Sequence, residues 1–246
     1  MKVVALIPAR YASERFPGKL LKDLNGKSVI LRTYEAAVNS LLFQEVYVIT
    51  DHQDIFNEIQ NSGGKALMSR KNHPSGTDRI AEFAPNIDAD IFINIQGDEP
   101  FIDPEQLTSL IEVFKNDTSS AIDIASLMIK IKDENQFNNP NNVKVVFDKN
   151  NFALYFSRAP IPYPRDNKFK LAYKHIGVYA FRKSALIKIA RLQESTLEKI
   201  EKLENLRFLE NGFSIKMVAT EHINFGIDTQ DDLQEAIEFL KNQKND

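Results

Sequence analysis

The sequence predicts an α/β protein: a mainly parallel sheet covered by helices on both faces, followed by a second, partly antiparallel layer. Three observations predict it. Short apolar runs alternate with segments of helical periodicity through the first half of the chain. Those runs are continuously apolar rather than alternating, as strands buried on both faces are. After about residue 119 the rhythm changes, and strand candidates follow one another with little helix between them.

Taken in order, residues 3–7 read as a buried strand. Residues 28–42 carry Val29, Ile30, Tyr34, Ala37 and Leu41 at helical spacing. A second strand at 46–49 ends in Thr50-Asp51. A helix at 53–61 is stopped by Gly63-Gly64, a usual end signal. A short strand at 65–68 precedes Ser75-Gly76-Thr77, after which a helix spans 78–83. Residues 91–95 form a strand, and 104–114 a helix with proline in its first turn. The later strand candidates are 122–131, 143–147, 152–156 and 173–181, with "FDKNNF" (147–152) as a hairpin turn. Two helices follow. The second opens at Ser195 with Glu198 three residues on, a capping-box pattern, and stops at Asn211-Gly212. A strand at 214–218 and a terminal helix opened by Thr229 complete the chain.

The net charge is -3, so no general basic field attracts nucleic acid. The absence of cysteine excludes disulfides, thiolate nucleophiles and cysteine-based metal sites. The histidines are too scattered to suggest a zinc site. The N-terminal apolar run is too short for a signal sequence and is ended by Arg10; no stretch approaches the ~20 apolar residues that span a bilayer. A soluble cytoplasmic protein without membrane insertion is expected.

Chemistry concentrates in two places. The first strand empties into "PARYASERFPGK", which gathers Arg10, Arg15 and Lys19 around Pro17-Gly18. In an open parallel sheet, ligands bind beyond the carboxyl ends of the strands. Arginine forks and backbone N–H groups in such a loop suit phosphate oxygens, although a basic surface turn would read alike. The loop is neither G-x-x-x-x-G-K-[ST] nor G-x-G-x-x-G. The second place is "INIQGDEPFI", which sets Asp98 and Glu99 just past a strand that belongs in the middle of the sheet, with "NFGIDTQDD" placing Asp228 before the last helix. Carboxylates facing a polyphosphate are the ligands Mg²⁺ prefers. Asp231 and Asp232 read instead as complements to the helix dipole.

Eight blocks in order carry a resemblance: "IPARYASERFPGK", "HPSGTDRIAE", "NIQGDEPFI", "NPNNVKVV", "YFSRAPIPY", "HIGVYAF", "LEKIEKLENLRFLENG" and "GIDTQDDL". Together they resemble the 3-deoxy-manno-octulosonate cytidylyltransferase (CMP-Kdo synthetase) family, over residues 3 to about 240. The resemblance implies transfer of CMP from CTP to the anomeric hydroxyl of Kdo, an acidic eight-carbon sugar, with release of pyrophosphate, dependence on Mg²⁺, and a product used in lipopolysaccharide biosynthesis. It implies a Rossmann-like fold of the nucleotide-diphospho-sugar transferase type, with 1–118 and 193–246 as the nucleotide-binding core and 119–192 as an inserted subdomain for sugar binding and dimerisation. A homodimer is expected.

By the same resemblance, Arg10, Ser13, Arg15 and Lys19 match the loop that holds the CTP phosphates, and Ser75, Gly76, Thr77 and Gln96 match segments around the cytosine and ribose. Asp98 and Asp228 match metal ligands; with Arg10 and Lys19 they form the expected catalytic set. Arg158, His175, Tyr179 and Glu204 match positions near the sugar, where Arg158 could pair bidentately with a carboxylate. Read without the resemblance, Tyr179 fits core packing, His175 a hydrogen-bonded structural histidine and Glu204 a solvated helix face. Two departures stand out: Leu20 follows Lys19 where the family usually has proline, and Asn224-Phe225 makes a bulkier approach to Asp228. An 8-amino analogue of Kdo or another acidic sugar is the alternative acceptor. A non-catalytic nucleotide-binding protein is a third reading, against which intact Asp98 and Asp228 argue.

Overall fold

The computed structural model describes residues 1–13, 16–166, 171–222 and 225–242. The first half runs β1 (Val3–Ala9), α1 (Val29–Asn39), β2 (Glu45–Thr50), α2 (Gln53–Asn61), β3 (Ala66–Met68), α3 (Gly76–Ala81), β4 (Ile91–Asn94) and α4 (Pro104–Lys115). The second runs β5 (Ile124–Lys130), α5 (Glu134–Asn138), β6 (Lys144–Phe147), β7 (Ala153–Ser157), β8 (Tyr173–Arg182), α6 (Lys183–Ile189), α7 (Thr196–Glu201), α8 (Glu204–Glu210), β9 (Ile215–Thr220) and α9 (Gln230–Asn242). The chain divides into two compact units, Met1–Pro104 with Asn224–Asp246, and Glu105–Ile223.

In the first unit β3, β2, β1 and β4 lie side by side, all parallel. β1 is buried along its whole length, as its continuous apolar run requires. From β1 the chain builds outward through β2 to β3, then returns to place β4 on the other side of β1. The connections leaving the carboxyl ends of β1 and β4 therefore part at this point, which opens a crevice.

Local chemistry sets the helix ends. The Ser28 hydroxyl accepts from Leu31 N at 3.3 Å and starts α1. At the end of α2 the turn is built by Gly63 at φ +76°, and Gly64 is confined by packing: a Cβ there would stand 2.7 Å from Ile59 Cγ2. α3 begins two residues earlier than the sequence predicts. The Ser75 hydroxyl accepts from Asp78 N at 3.0 Å, which makes Ser75 the cap and winds Gly76 and Thr77 into the first turn. At α9, Thr229 Oγ1 accepts from Asp232 N at 3.2 Å. The Asp232 carboxylate accepts in return from the backbone N–H groups of Asp228 (2.9 Å) and Thr229 (2.7 Å), so it caps the helix as its position suggested.

The second unit is mixed. β5 runs antiparallel to β8 and parallel to β9, and β6 is antiparallel to both β7 and β8. The hairpin at 147–152 forms as expected. Asp148 Oδ1 accepts from Asn150 N and Phe152 N, each at 2.8 Å, and Asn151 adopts φ +61°. This unit is wider than the 119–192 insertion expected from the sequence. β9 joins β5 edge to edge, and Phe208 of α8 packs edge-on against Phe181 of β8, which draws in the chain between them.

Two further expectations are corrected. The segment before β6 contains α5, capped by Asp133, whose Oδ1 accepts from Gln136 N at 2.9 Å; one turn and a half is too short to give a periodic signal. The helix expected from Ser195 to Asn211 is two helices. The capping box at Ser195 and Glu198 is present, but Lys202 adopts φ +54° and ends α7 before α8 begins.

Candidate active site

The loop after β1 is closed by a hydrogen bond from Gly18 N to Tyr11 O of 3.4 Å. Gly18 has φ +66°, so backbone conformation selects glycine; a Cβ there would meet the Tyr11 ring at 3.5 Å, an ordinary contact. A single 3-10 turn, Lys19–Leu21, follows. Leu20, where proline was usual in the family resembled, is buried. Its Cδ1 lies 3.4 Å from the point a Cβ on Gly97 would occupy. Packing of Leu20 thus takes over the anchoring that a fixed φ would give.

This turn delivers Lys19 to two carboxylates distant in sequence. Its Nζ donates to Asp98 Oδ2 and, at 2.9 Å, to Asp228 Oδ1. Asp98 stands just past β4 in a turn braced by Thr33, whose Oγ1 donates to Gly97 O at 3.0 Å. Ile227 N donates to Asp98 O at 2.9 Å and so fixes Asp228 beside Asp98. The Lys19 side chain is only 11% exposed. Burial opposes its charge, but Asp98 and Asp228 outweigh it and hold the ammonium above the ordinary lysine range.

A cleft of about 590 Å³ opens over this triad. Of the residues expected around a nucleotide, Arg10, Ser13, Lys19, Ser75, Gly76, Gln96, Asp98 and Asp228 line it. Thr77 does not: it is buried, within 3.4 Å of the Asn94 amide. Arg15 and Asn224 lie outside the described residues. Gly76 faces the cleft floor, where a Cβ would stand 3.1 Å from Pro8 Cγ.

Sequence reasoning missed two polar lining residues, His73 and Arg79. His73 Nε2 lies 2.9 Å from Glu82 Oε2, and the same carboxylate oxygen accepts from Ser69 Oγ at 2.6 Å. Burial raises the Glu82 pKa, but these two partners more than reverse it and keep the group ionised. Arg79 is buried and donates from Nη2 to Asp51 Oδ2 at 2.7 Å. Both stand in the block "HPSGTDR"; only tertiary contacts from Glu82 and Asp51 turn them toward a role.

The residues expected at the sugar belong to the second unit. His175 and Tyr179 are brought together, with ring centroids 5.3 Å apart. Tyr179 is buried and stacks on Phe181, so its packing role is real; burial first, and the charge of Glu204 second, push its pKa upward. Glu204 pairs with Arg207 at 2.9 Å in the first turn of α8 rather than forming a solvated face. Ser126 Oγ lies 2.9 Å from His175 Nε2 and within 3.1 Å of the carbonyls of Ile176 and Val178. The hydroxyl's one proton goes to a carbonyl, so its oxygen accepts from Nε2–H. This pattern leaves Nδ1 of a neutral His175 as an acceptor.

Arg158 is the exception. Its Nε donates to Glu201 O at 2.8 Å, Nη1 to Pro140 O at 3.0 Å and Nη2 to Lys202 O at 3.5 Å. The guanidinium thus ties two backbone segments, at Pro140 and at Glu201-Lys202, to the end of β7 and retains one N–H on each terminal nitrogen.

Burial pushes the His175 pKa down from 6.5 to about 3. Between those values the unfolded chain binds a proton that the folded chain excludes. His175 therefore favours folding fully above pH 6.5 and progressively less as pH falls toward 3. Urea midpoints at pH 7 and pH 5 should fall further for the wild-type chain than for His175→Asn; parallel losses would contradict this.

A parallel sheet with a cationic first loop facing paired carboxylates at its switch point defines a Rossmann-like nucleotidyltransferase. The Cytidylyltransferase family profile matches residues 4–223. The chain is 57% identical over 242 residues to the 3-deoxy-manno-octulosonate cytidylyltransferase of Flavobacterium johnsoniae, covering 98% of this chain and 99% of the relative. It is 56% identical over 240 residues to that of Christiangramia forsetii, covering 97% of each. Among solved structures, a CMP:2-keto-3-deoxy-manno-octonic acid synthetase complexed with CTP superposes with a TM-score of 0.93 at 39% identity, over 99% of this chain and 100% of the other. The chain belongs to the 3-deoxy-manno-octulosonate cytidylyltransferase family.

Proposed function

We propose that this chain transfers CMP from CTP to the anomeric hydroxyl of Kdo, giving CMP-Kdo for lipopolysaccharide biosynthesis and releasing pyrophosphate. The observation that carries the reading is Lys19 held between Asp98 and Asp228 in the nucleotide-sized cleft. The sugar hydroxyl oxygen forms a bond to the α-phosphorus of CTP while the bond from that phosphorus to the β-phosphate oxygen breaks. The electron pair leaves with pyrophosphate, and the hydroxyl proton is lost to solvent. No protein nucleophile is required; the work is positioning and charge stabilisation.

Arg10, Ser13 and Lys19 supply donors for the triphosphate, with Arg15 in the same loop by family resemblance. Ser75, Gly76 and Gln96 line the same cleft and are assigned to the base and ribose; Thr77, which accepts from the Asn94 amide at 3.4 Å, ties that segment to β4. Asp98 and Asp228 are the residues that would hold Mg²⁺. Their donor set fits it: both offer hard carboxylate oxygens, both converge on one point, and that point already holds the cationic Lys19 ammonium. When bound, the ion lowers the pKa of the attacking hydroxyl and neutralises phosphate charge. The sugar is assigned to the second unit: Arg158 to its carboxylate through the two remaining N–H groups, His175 to a hydroxyl through Nδ1, and Tyr179 with Glu204 to the wall beside them. A homodimer is the expected assembly. No helix among the described residues is long and apolar enough to cross a membrane, and a cytoplasmic site of action fits a chain without cysteine.

The test is pyrophosphate release from CTP and Mg²⁺ with a panel of purified acidic sugars. Kdo is expected to be turned over most efficiently. Turnover of the 8-amino analogue without turnover of Kdo would move the assignment to the alternative acceptor, and CTP binding with no product from any sugar would leave only a binding protein.

A further inference from the structure

Lys144 is a fully buried lysine whose ammonium is surrounded by backbone carbonyls: Asn139 O at 3.0 Å, Asn142 O at 2.6 Å and Arg158 O at 2.6 Å. All three ammonium protons are thereby used. Burial lowers its pKa; the charged groups that act on it are Glu201, which favours the cation, and Arg158, which opposes it. Glu201 in turn holds the end of β7. Its Oε2 accepts from Arg158 N at 2.9 Å and its Oε1 from Ser157 Oγ at 2.6 Å, while its own carbonyl accepts from Arg158 Nε. Arg158 is therefore gripped from three sides: its amide by the Glu201 carboxylate, its carbonyl by Lys144, and its guanidinium by the carbonyls of Pro140, Glu201 and Lys202.

Two consequences follow from elementary chemistry. The Lys144 ammonium and the Arg158 guanidinium act on each other, with the Glu201 carboxylate opposing them at Lys144, so the local field suits an anionic ligand. The guanidinium also cannot swing to meet that ligand, because three of its five N–H groups are committed to the backbone. Its remaining fork must be aimed in advance, and the aim is set where α7 ends.

We propose that Glu201 is a positioning residue for the sugar: by fixing the Arg158 backbone, and with Lys144 fixing the Arg158 carbonyl, it aims the free N–H pair of Arg158 at the sugar carboxylate. This rests on the assignment of Arg158 to that carboxylate. Three views of Glu201 give different results on its removal. If it merely offset the two cations, its loss would strengthen binding of an acidic sugar. If it merely stabilised the fold, the melting temperature would fall with both Michaelis constants unchanged. If it aims Arg158, affinity for the acidic sugar falls.

The experiment measures KM for Kdo, KM for CTP and the melting temperature for Glu201→Ala, Glu201→Gln and Arg158→Ala. Glu201→Ala is expected to raise KM for Kdo about 10- to 100-fold with KM for CTP within about twofold of wild type. Glu201→Gln, which keeps an acceptor for the Arg158 amide, should restore most of the loss. Should Glu201→Ala not fold, Glu201→Asp serves instead, since it retracts the anchor by one methylene while keeping the charge; it too should raise KM for Kdo. An unchanged or lowered KM for Kdo in the folded Glu201 variant, or an equal rise for CTP, overturns the proposal. If Arg158→Ala leaves KM for Kdo unchanged, the assignment of Arg158 itself falls and the proposal falls with it. A rise in Arg158→Ala without one in the Glu201 variant overturns the positioning role alone.

Discussion

Replacing Asp98 by asparagine is expected to lower turnover about a thousandfold while leaving the fold intact. The substitution is close to isosteric and removes only charge. The structural duty at this position belongs to the backbone, since Asp98 O accepts from Ile227 N and neither group changes. Lys19 keeps Asp228 as a partner, so its ammonium is not left unpaired. What is lost is half of the carboxylate pair that would hold Mg²⁺ against the phosphates. Steady-state kinetics at saturating CTP and Kdo, with a magnesium titration and a thermal melt on the same preparation, check this. A melting temperature near that of wild type with collapsed turnover is the predicted outcome; undiminished turnover would count against a metal role for Asp98.

Lys19→Met produces the second large effect, in two parts. The ammonium is a donor for the triphosphate, so its loss should raise KM for CTP and reduce kcat/KM about 100- to 1000-fold. The ammonium also occupies the point on which Asp98 and Asp228 converge. Removing it takes away the cation that the two carboxylates share, which favours a metal ion in its place. Calorimetric titration of the nucleotide-free variant with Mg²⁺ should therefore show tighter binding than the wild-type chain. Weaker or unchanged Mg²⁺ binding would mean that Lys19 does not compete for the carboxylate pair. A loss of activity alone could not separate these parts; the metal titration can.

How much of this was legible in the sequence depended on the range of the forces involved. The parallel half of the fold could be read because its signals are local: continuous apolar runs for β1, β2 and β4, helical spacing for α1, glycines after α2. α5 and the break at Lys202 could not. α5 spans too few residues for periodicity. The break lies inside an unbroken helical pattern and leaves the carbonyls of Glu201 and Lys202 to accept from Arg158, far away in sequence. The same distinction holds at the site. Arg10, Lys19 and Asp98 stand in the connections that leave readable strands, so strand assignment placed them, whereas Ser13 was marked only by the family resemblance. His73 and Arg79 acquire their places from Glu82 and Asp51, and no spacing rule connects those pairs. The reading of Arg158 as a free bidentate fork overlooked its backbone partners; the structure leaves it one N–H on each terminal nitrogen.

The account depends on one exchange of partners: Lys19 leaves the carboxylate pair for the nucleotide when CTP arrives. A crystal structure of the chain with CTP, Mg²⁺ and an unreactive Kdo analogue tests it directly. The account predicts Lys19 Nζ within hydrogen-bond distance of triphosphate oxygens, with Asp98 and Asp228 turned onto a shared Mg²⁺. A triphosphate bound away from the first loop, or Lys19 still bridging both aspartates with the nucleotide in place, would contradict it.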